Sequence, residues 1–317
     1  MRKITEGWIV FLIMVVIFIQ VKAENEGSSD AKLVQEIEKQ MTESRKIDLL
    51  QMKQLTKEEV LVVSGKYDQV EKVLDAFKIT YTTAQIKDME NINLNKVKAL
   101  LINCYHSHPT TDDKTVETFS PQAVKNIRNF VSQGGFLFAS DWALLDIISR
   151  AFPKTITWNA VNTGDETVII TPNPKKQDHP FLKDVFPPGN KLNWKLDTMS
   201  TPVVITAKDK ESIKILIESD DLEKKYKSKI VAVTFDYTDN NGQPTPIFTP
   251  TPTSKTNTGT TSYYYGPRRG TVLYVISHFY QRGVGLNDAE ANGSMFQLII
   301  NFLIKAGRGN TEPKEKK

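Results

Sequence analysis

Apolar residues along this chain arrive in two rhythms. Short unbroken runs such as "EVLVVSG" (59–65), "VKALLINC" (97–104) and "FLFAS" (136–140) alternate with stretches where they recur every three or four positions. The first rhythm suits strands buried on both faces, and the second suits helices with one buried stripe. Val70, Val73, Leu74 and Phe77 predict a helix after the first run, and "ITYTT" (79–83) a second strand before residues 97–104. "SPQAVKNIRNFVSQGG" (120–135) reads as a helix with both ends marked. Ser120 can cap it, Pro121 fits its first turn, and Gly134 can end it in a left-handed conformation. Its stripe is Val124, Ile127, Phe130 and Val131. The strand 136–140 follows, then a helix from about Trp142 to Ala151. Strands alternating with amphipathic helices predict an α/β fold whose mostly parallel sheet is covered on both faces.

Further runs continue the sheet, in part as an antiparallel extension. They are "TVIIT" (167–171), "PVVIT" (202–206), "IKILIE" (213–218), "IVAVTF" (230–235) and "TVLYVISH" (271–278). "SMFQLIINFLIKAG" (294–307) is apolar almost all round and predicts a deeply buried helix. Near the start, Leu33, Val34, Ile37 and Met41 give residues 31–55 a single helical stripe, for packing on the domain or on a partner. Residues 238–270 are crowded with Thr, Pro and Gly, and predict a long exposed loop between two strands.

The first residues change the picture of where the protein works. Arg2 and Lys3, the apolar run Trp8–Ile19 and the small residues of Val21-Lys22-Ala23 make residues 1–23 a signal peptide by pattern. The alternative is an uncleaved N-terminal membrane anchor, although the run is shorter than the roughly 20 residues that span a bilayer. No later segment is apolar enough to cross a membrane. The expected organisation is therefore a signal peptide (1–23), a linker and N-terminal helix (24–57), one α/β domain (58–306) with the 238–270 insertion, and a disordered basic tail (307–317). The expected location is the periplasm, the cell surface or the medium.

Residues 1–23 carry three basic residues and one acidic one, so the 41 basic and 37 acidic residues become 38 and 36 without them, a net charge of +2. The charges are scattered, with no basic stripe for nucleic acid. Cys104 is the sole cysteine, so no internal disulfide can form and a hydrophobic core must supply stability.

In an open α/β sheet, ligands bind beyond the carboxyl ends of the strands. That rule selects Asn103, Cys104 and the loop "YHSHPTTDD" (105–113), then Ser140, Asp141 and Trp142, and finally Ser277, His278, Phe279 and Tyr280. The run "SPQAVKNIRNFVSQGGFLFASDWAL" with the late "GTVLYVISHFY" resembles the class I glutamine-amidotransferase-like superfamily, near an exported branch close to the trehalose-utilisation-like domains. The resemblance spans roughly residues 58–306 apart from the insertion. It implies a three-layer flavodoxin-like fold. It also implies a nucleophilic cysteine between glycines at a strand-to-helix elbow, with a histidine and a glutamate late in the domain. Here the elbow falls on Ser140 or Asp141, its glycines are missing, His278 matches the histidine, and Tyr280 stands where the glutamate belongs. The triad is not intact, and glutamine hydrolysis is not expected.

Other chemistries use the same residues. Ser140 with His278 and Asp141 would be a nucleophile, base and carboxylate, but Asp141 adjoins Ser140 and is not expected to orient His278 as well. The simpler reading makes Ser140 and Asp141 caps of the following helix. Cys104 could react if a cation or helix end lowered its pKa, and otherwise is a small buried hydrophobe. His106 and His108, with Asp112, Asp113 and either Asp141 or His278, offer a zinc site of weak signature. No other cofactor is expected. His179 reads as a turn residue before Pro180, Trp194 as a rim or core residue, and Asn292-Gly293-Ser294 as a glycosylation acceptor or, through Ser294, a helix cap. The expectation is an exported, non-catalytic protein binding a small molecule, sugar or protein partner. Its binding face would be Asn103, Tyr105, His106, His108, Asp141, Trp142, His278 and Tyr280. The alternative is a hydrolase, metal-assisted or using Cys104 or Ser140, with His278 as base.

Overall fold

The computed structural model describes residues 45–105, 118–238, 269–279 and 289–309, together with Gln35, Glu38, Lys39 and Met41. The expected signal peptide and linker, nearly all of residues 238–270, the residues beyond 309, and His106, His108, Asp112, Asp113 and Tyr280 lie outside the described residues.

The first half of the chain is a run of β-α-β units. Strands β1 (Val60–Val63), β2 (Thr82–Ala84), β3 (Ala99–Ile102) and β4 (Phe136–Ser140) lie in the order β2-β1-β3-β4, all parallel, and β11 (Gly270–Val275) adds a fifth parallel strand beside β4. This is the flavodoxin-like order of a doubly wound sheet. β1, β3, β4 and β11 are buried along their whole length, which is why their sequences do not alternate. Beyond β11 the sheet continues antiparallel through β10 (Ile230–Tyr237), β9 (Ile213–Glu218), β6 (Glu166–Pro172) and β7 (Leu192–Leu196), making nine strands.

Two strand expectations change. "PVVIT" contributes β8 (Val203–Ile205), which pairs with β5 (Ile156–Trp158) in a separate two-stranded sheet. The outermost strand of the large sheet is β7 instead. There Leu192, Trp194 and Leu196 are buried while Asn193 and Lys195 are exposed, as a one-sided edge strand requires.

Helix α1 (Lys46–Lys53) precedes β1, and α2 (Glu71–Ala76) links β1 to β2. Helix α3 (Pro121–Ser132) has the predicted cap, with Ser120 Oγ accepting from the Ala123 N–H at 3.1 Å, and Gly134 beyond it takes φ +103°. A π-helical turn (Leu144–Ile148) and the short α4 (Ser149–Ala151) follow β4, and α5 (Asp220–Tyr226) joins β9 to β10. The last helix, α6 (Ala289–Arg308), begins before Ser294, so Ser294 lies within the helix instead of capping it. Ala289, Glu290 and Ala291 are good helix formers and carry the first turn upstream.

Phe136 and Phe138 are two apart on β4 and so share a face, where both rings meet Phe302 of α6. Helix α3 packs along β11 and against α4. A β-carbon on Gly270 would lie 1.9 Å from the Val131 carbonyl oxygen, so this close approach needs glycine. The N-terminal segment packs on the domain itself. Met41, Leu49, Met52 and Leu55 are buried, and Arg45 donates to Asn301 on α6 at 2.7 Å.

Candidate functional site

Because β3, β4 and β11 are adjacent and parallel, their carboxyl ends open at one place. Cys104, Asp141 and His278 follow those three ends. The Cys104 sulfur, an Asp141 carboxylate oxygen and a His278 ring nitrogen all lie within 4.8 Å of one another. The elbow after β4 falls on Asp141, whose φ of 42° is a left-handed conformation uncommon outside glycine. Ser277, just before His278, has φ 72°.

Ser140 and Asp141 are neighbours whose side chains take different directions. Ser140 accepts from the Cys104 N–H at 3.2 Å and donates to Asp68 at 2.5 Å. Asp141 Oδ2 accepts from the Ser200 hydroxyl at 2.7 Å, and Oδ1 from the Thr201 N–H at 3.0 Å and its hydroxyl at 3.1 Å. The Tyr274 hydroxyl donates to the Asp141 carbonyl at 3.1 Å. Neither side chain caps the following turn, because both are engaged elsewhere. Asp141 also lies beside the histidine, with Oδ2 at 3.4 Å from His278 Nε2, but the carboxylate that holds the ring by hydrogen bond is another. The left-handed turn at Asp141 is what aims its side chain away from Ser140.

His278 is held from its other nitrogen. Nδ1 meets Asp197 Oδ2, just beyond the end of β7 and 81 residues away in sequence. The Ser277 hydroxyl donates to the Lys195 carbonyl at 2.8 Å, which fastens the His278 backbone to the same strand. His278 Nε2 is buried and makes no hydrogen bond of regular geometry among the described residues.

Burial pushes the Cys104 thiol up to about 12, with Asp141 adding to the rise, while the charge of His278 and the Trp142 backbone N–H work against it. Burial also raises Asp141, against the pull of His278, Ser200 and Thr201. Burial alone would lower His278, but Cys104, Asp197 and Asp141 together hold it well above its ordinary value. Two carboxylates flanking one imidazole are sufficient for that direction. Burial thus favours the neutral thiol, while the imidazole beside it favours the thiolate.

The remaining named residues have other duties. Asn103 Oδ1 accepts from the Val70 N–H at 3.0 Å and Nδ2 donates to Glu71 at 2.6 Å, latching the start of α2 to the end of β3. Trp142 is buried with its ring 5.8 Å from that of Trp158. Tyr105 is half-buried against the core. Trp194 is a core residue whose Nε1–H donates to the Ile276 carbonyl at 3.1 Å, and His179 Nδ1 accepts from the Phe181 N–H at the turn before Pro180–Leu182.

Five residues of the cluster escaped the sequence reading: Asp68, Asp197, Ser200, Thr201 and Tyr274. Asp68 accepts from Ser140 and from the Phe279 N–H at 3.1 Å, tying the β1–α2 loop to two strand ends. The alternation of β7 gives no signal for Asp197, which stands just beyond the strand and out of phase with the buried Leu192, Trp194 and Leu196, yet is itself buried.

No protein-family model matches the sequence, and no curated protein matches it either. Solved structures similar to it include glutamine amidotransferases and ThuA-like proteins. A ThuA-like protein from Bacteroides uniformis aligns over 76% of this chain and 88% of its own, with 8% identity and a TM-score of 0.45. A glutamine amidotransferase from Thermotoga maritima aligns over 55% and 70%, with 8% identity and a TM-score of 0.40. One from Methylobacillus flagellatus aligns over 57% and 65%, with 13% identity and a TM-score of 0.38. Among the described residues no helix is long and apolar enough to cross a membrane.

Proposed function

We propose that this is an exported binding protein of amidotransferase-like fold, and that its pocket recognises a ligand without covalent catalysis. One observation carries the reading. The elbow position holds Asp141, both of whose carboxylate oxygens are engaged by Ser200 and Thr201, while the sole thiol sits off the elbow and fully buried. A thiol attacks as thiolate, and burial opposes that form here more strongly than the neighbouring imidazole favours it. The export part rests on the pattern of residues 1–23. The test is hydrolysis of generic ester and amide probes by the purified chain. The expected rate equals that of His278→Ala, and a thiol-directed acylating probe leaves Cys104 unmodified in the folded protein.

A second reading is favoured by the Asp197–His278 contact beside Cys104. A carboxylate that orients an imidazole next to a nucleophile is the arrangement of a hydrolytic triad, with His278 as base and Asp197 as its orienter. Probe hydrolysis that vanishes in both His278→Ala and Cys104→Ser would establish this reading and end the first.

A further inference from the structure

We propose that Cys104, Asp141 and His278 form a binding site for a divalent cation of the zinc class. The assignment rests on the binding reading above, since it names the ligand that pocket takes. Sulfur, carboxylate oxygen and imidazole nitrogen converge within 4.8 Å from three adjacent strand ends, and all three residues are buried or nearly so. Ligand atoms about 2.0 Å from a tetrahedral zinc stand roughly 3.3 Å apart along an edge. His278 Nε2 and Asp141 Oδ2 are already 3.4 Å apart.

Independent support comes from the histidine. Its side chain is 7% exposed, and its buried Nε2, which makes no hydrogen bond of regular geometry among the described residues, faces the other two donors, with Asp141 Oδ2 at 3.4 Å. Its opposite nitrogen meets Asp197. Metal-bound histidines are held in this way, with a carboxylate fixing the tautomer and the ring orientation. The other donors are positioned as well. Ser200 and Thr201 orient the Asp141 carboxylate, and the Trp142 backbone N–H faces the Cys104 sulfur.

The donor set decides the class of ion. Thiolate and imidazole select zinc and its neighbours over magnesium and calcium, which prefer oxygen. Three protein donors leave a fourth position for water or a small ligand. On binding, Cys104 gives its S–H proton and His278 its Nε2–H proton to the buffer, and the freed sulfur and nitrogen take the metal.

The experiment uses the purified full chain, stripped with chelator and titrated with zinc and with cobalt(II). One ion per chain is expected, with a thiolate-to-cobalt charge-transfer band in the near ultraviolet. Cys104→Ser should abolish the band and His278→Ala should weaken binding at least a hundredfold, while His179→Ala retains both. A folded wild-type chain without the band overturns the assignment, and this holds even where Cys104→Ser fails to fold. So does stoichiometric metal that survives both site substitutions, or metal lost on replacing His106 and His108 but kept in Cys104→Ser. Metal-independent probe hydrolysis lost in His278→Ala would sink the non-catalytic reading while leaving the cobalt band in place, so the two failures are distinguishable.

Discussion

Replacing Asp68 with alanine should cost about 3 kcal/mol of stability, although the residue lies outside the Cys104–Asp141–His278 triangle. The carboxylate accepts from the Ser140 hydroxyl at 2.5 Å, the Phe279 N–H at 3.1 Å and the Gln69 N–H at 2.8 Å. Gln69 is partly exposed, so its N–H finds water. The other two donors are buried and would be orphaned, at about 1–3 kcal/mol each. Removing a buried charge returns part of that, because Asp68 no longer pays its own desolvation. Against a total of about 5–15 kcal/mol for a folded chain, the remainder is large. Urea unfolding followed by tryptophan fluorescence should show a lower midpoint with an unchanged slope. Ser140→Ala alone should cost about 1–3 kcal/mol, since it orphans the Cys104 N–H and deprives Asp68 of a donor. In the Asp68→Ala background the same change should cost at least about 1 kcal/mol less, because the hydroxyl has already lost its acceptor. A cost for Asp68→Ala under about 0.5 kcal/mol, or strict additivity of the pair, would refute the view that this carboxylate ties the β1–α2 loop to the two strand ends.

Other substitutions probe the frame around the site. Gly270→Ala places a β-carbon 1.9 Å from the Val131 carbonyl, so α3 or β11 must move, and thermal unfolding should reveal a loss of at least about 2 kcal/mol. Arg45→Ala removes a buried guanidinium from Asn301 and Asp48, and should lower stability by about 2–3 kcal/mol while speeding proteolysis ahead of β1. Burial keeps His179 down at about 4, with Lys214 contributing, whereas the unfolded residue titrates near 6.5. Its folded value is depressed, so its contribution is complete above pH 6.5 and is lost as pH falls toward 4. Partial exposure limits that loss to about 1–2 kcal/mol, and a His179→Asn chain should show a correspondingly flatter stability profile across that window.

The parts of the fold legible in the sequence are those where burial alone dictates residue type. β1, β3, β4 and β11 are buried on both faces, so each is a continuous apolar run. Helix α3 announces itself through Ser120, Pro121 and Gly134 because caps are local chemistry. β7 was missed for the opposite reason. Its Asn193 and Lys195 face solvent at a sheet edge, and their polarity disguises the strand.

The site divides along the same line. Three adjacent parallel strands make their ends converge whatever the loops do, so the meeting of Cys104, Asp141 and His278 follows from strand order. Strand order says nothing about Asp197, which arrives from the antiparallel edge and has no fixed spacing to His278. Nor does it give the φ of 42° at Asp141, and that angle decides the chemistry. In an extended conformation the alternation of side chains would merely oppose Ser140 to Asp141 across the sheet. The left-handed turn instead carries the carboxylate up to the histidine and leaves the serine below, bonded to Asp68. A non-glycine residue held there costs on the order of 1–3 kcal/mol, which Ser200, Thr201 and Tyr274 offset through their hydrogen bonds to its carboxylate and carbonyl. Strain retained at a strand end, on a carboxylate that caps nothing, is the mark of a residue kept for what it faces.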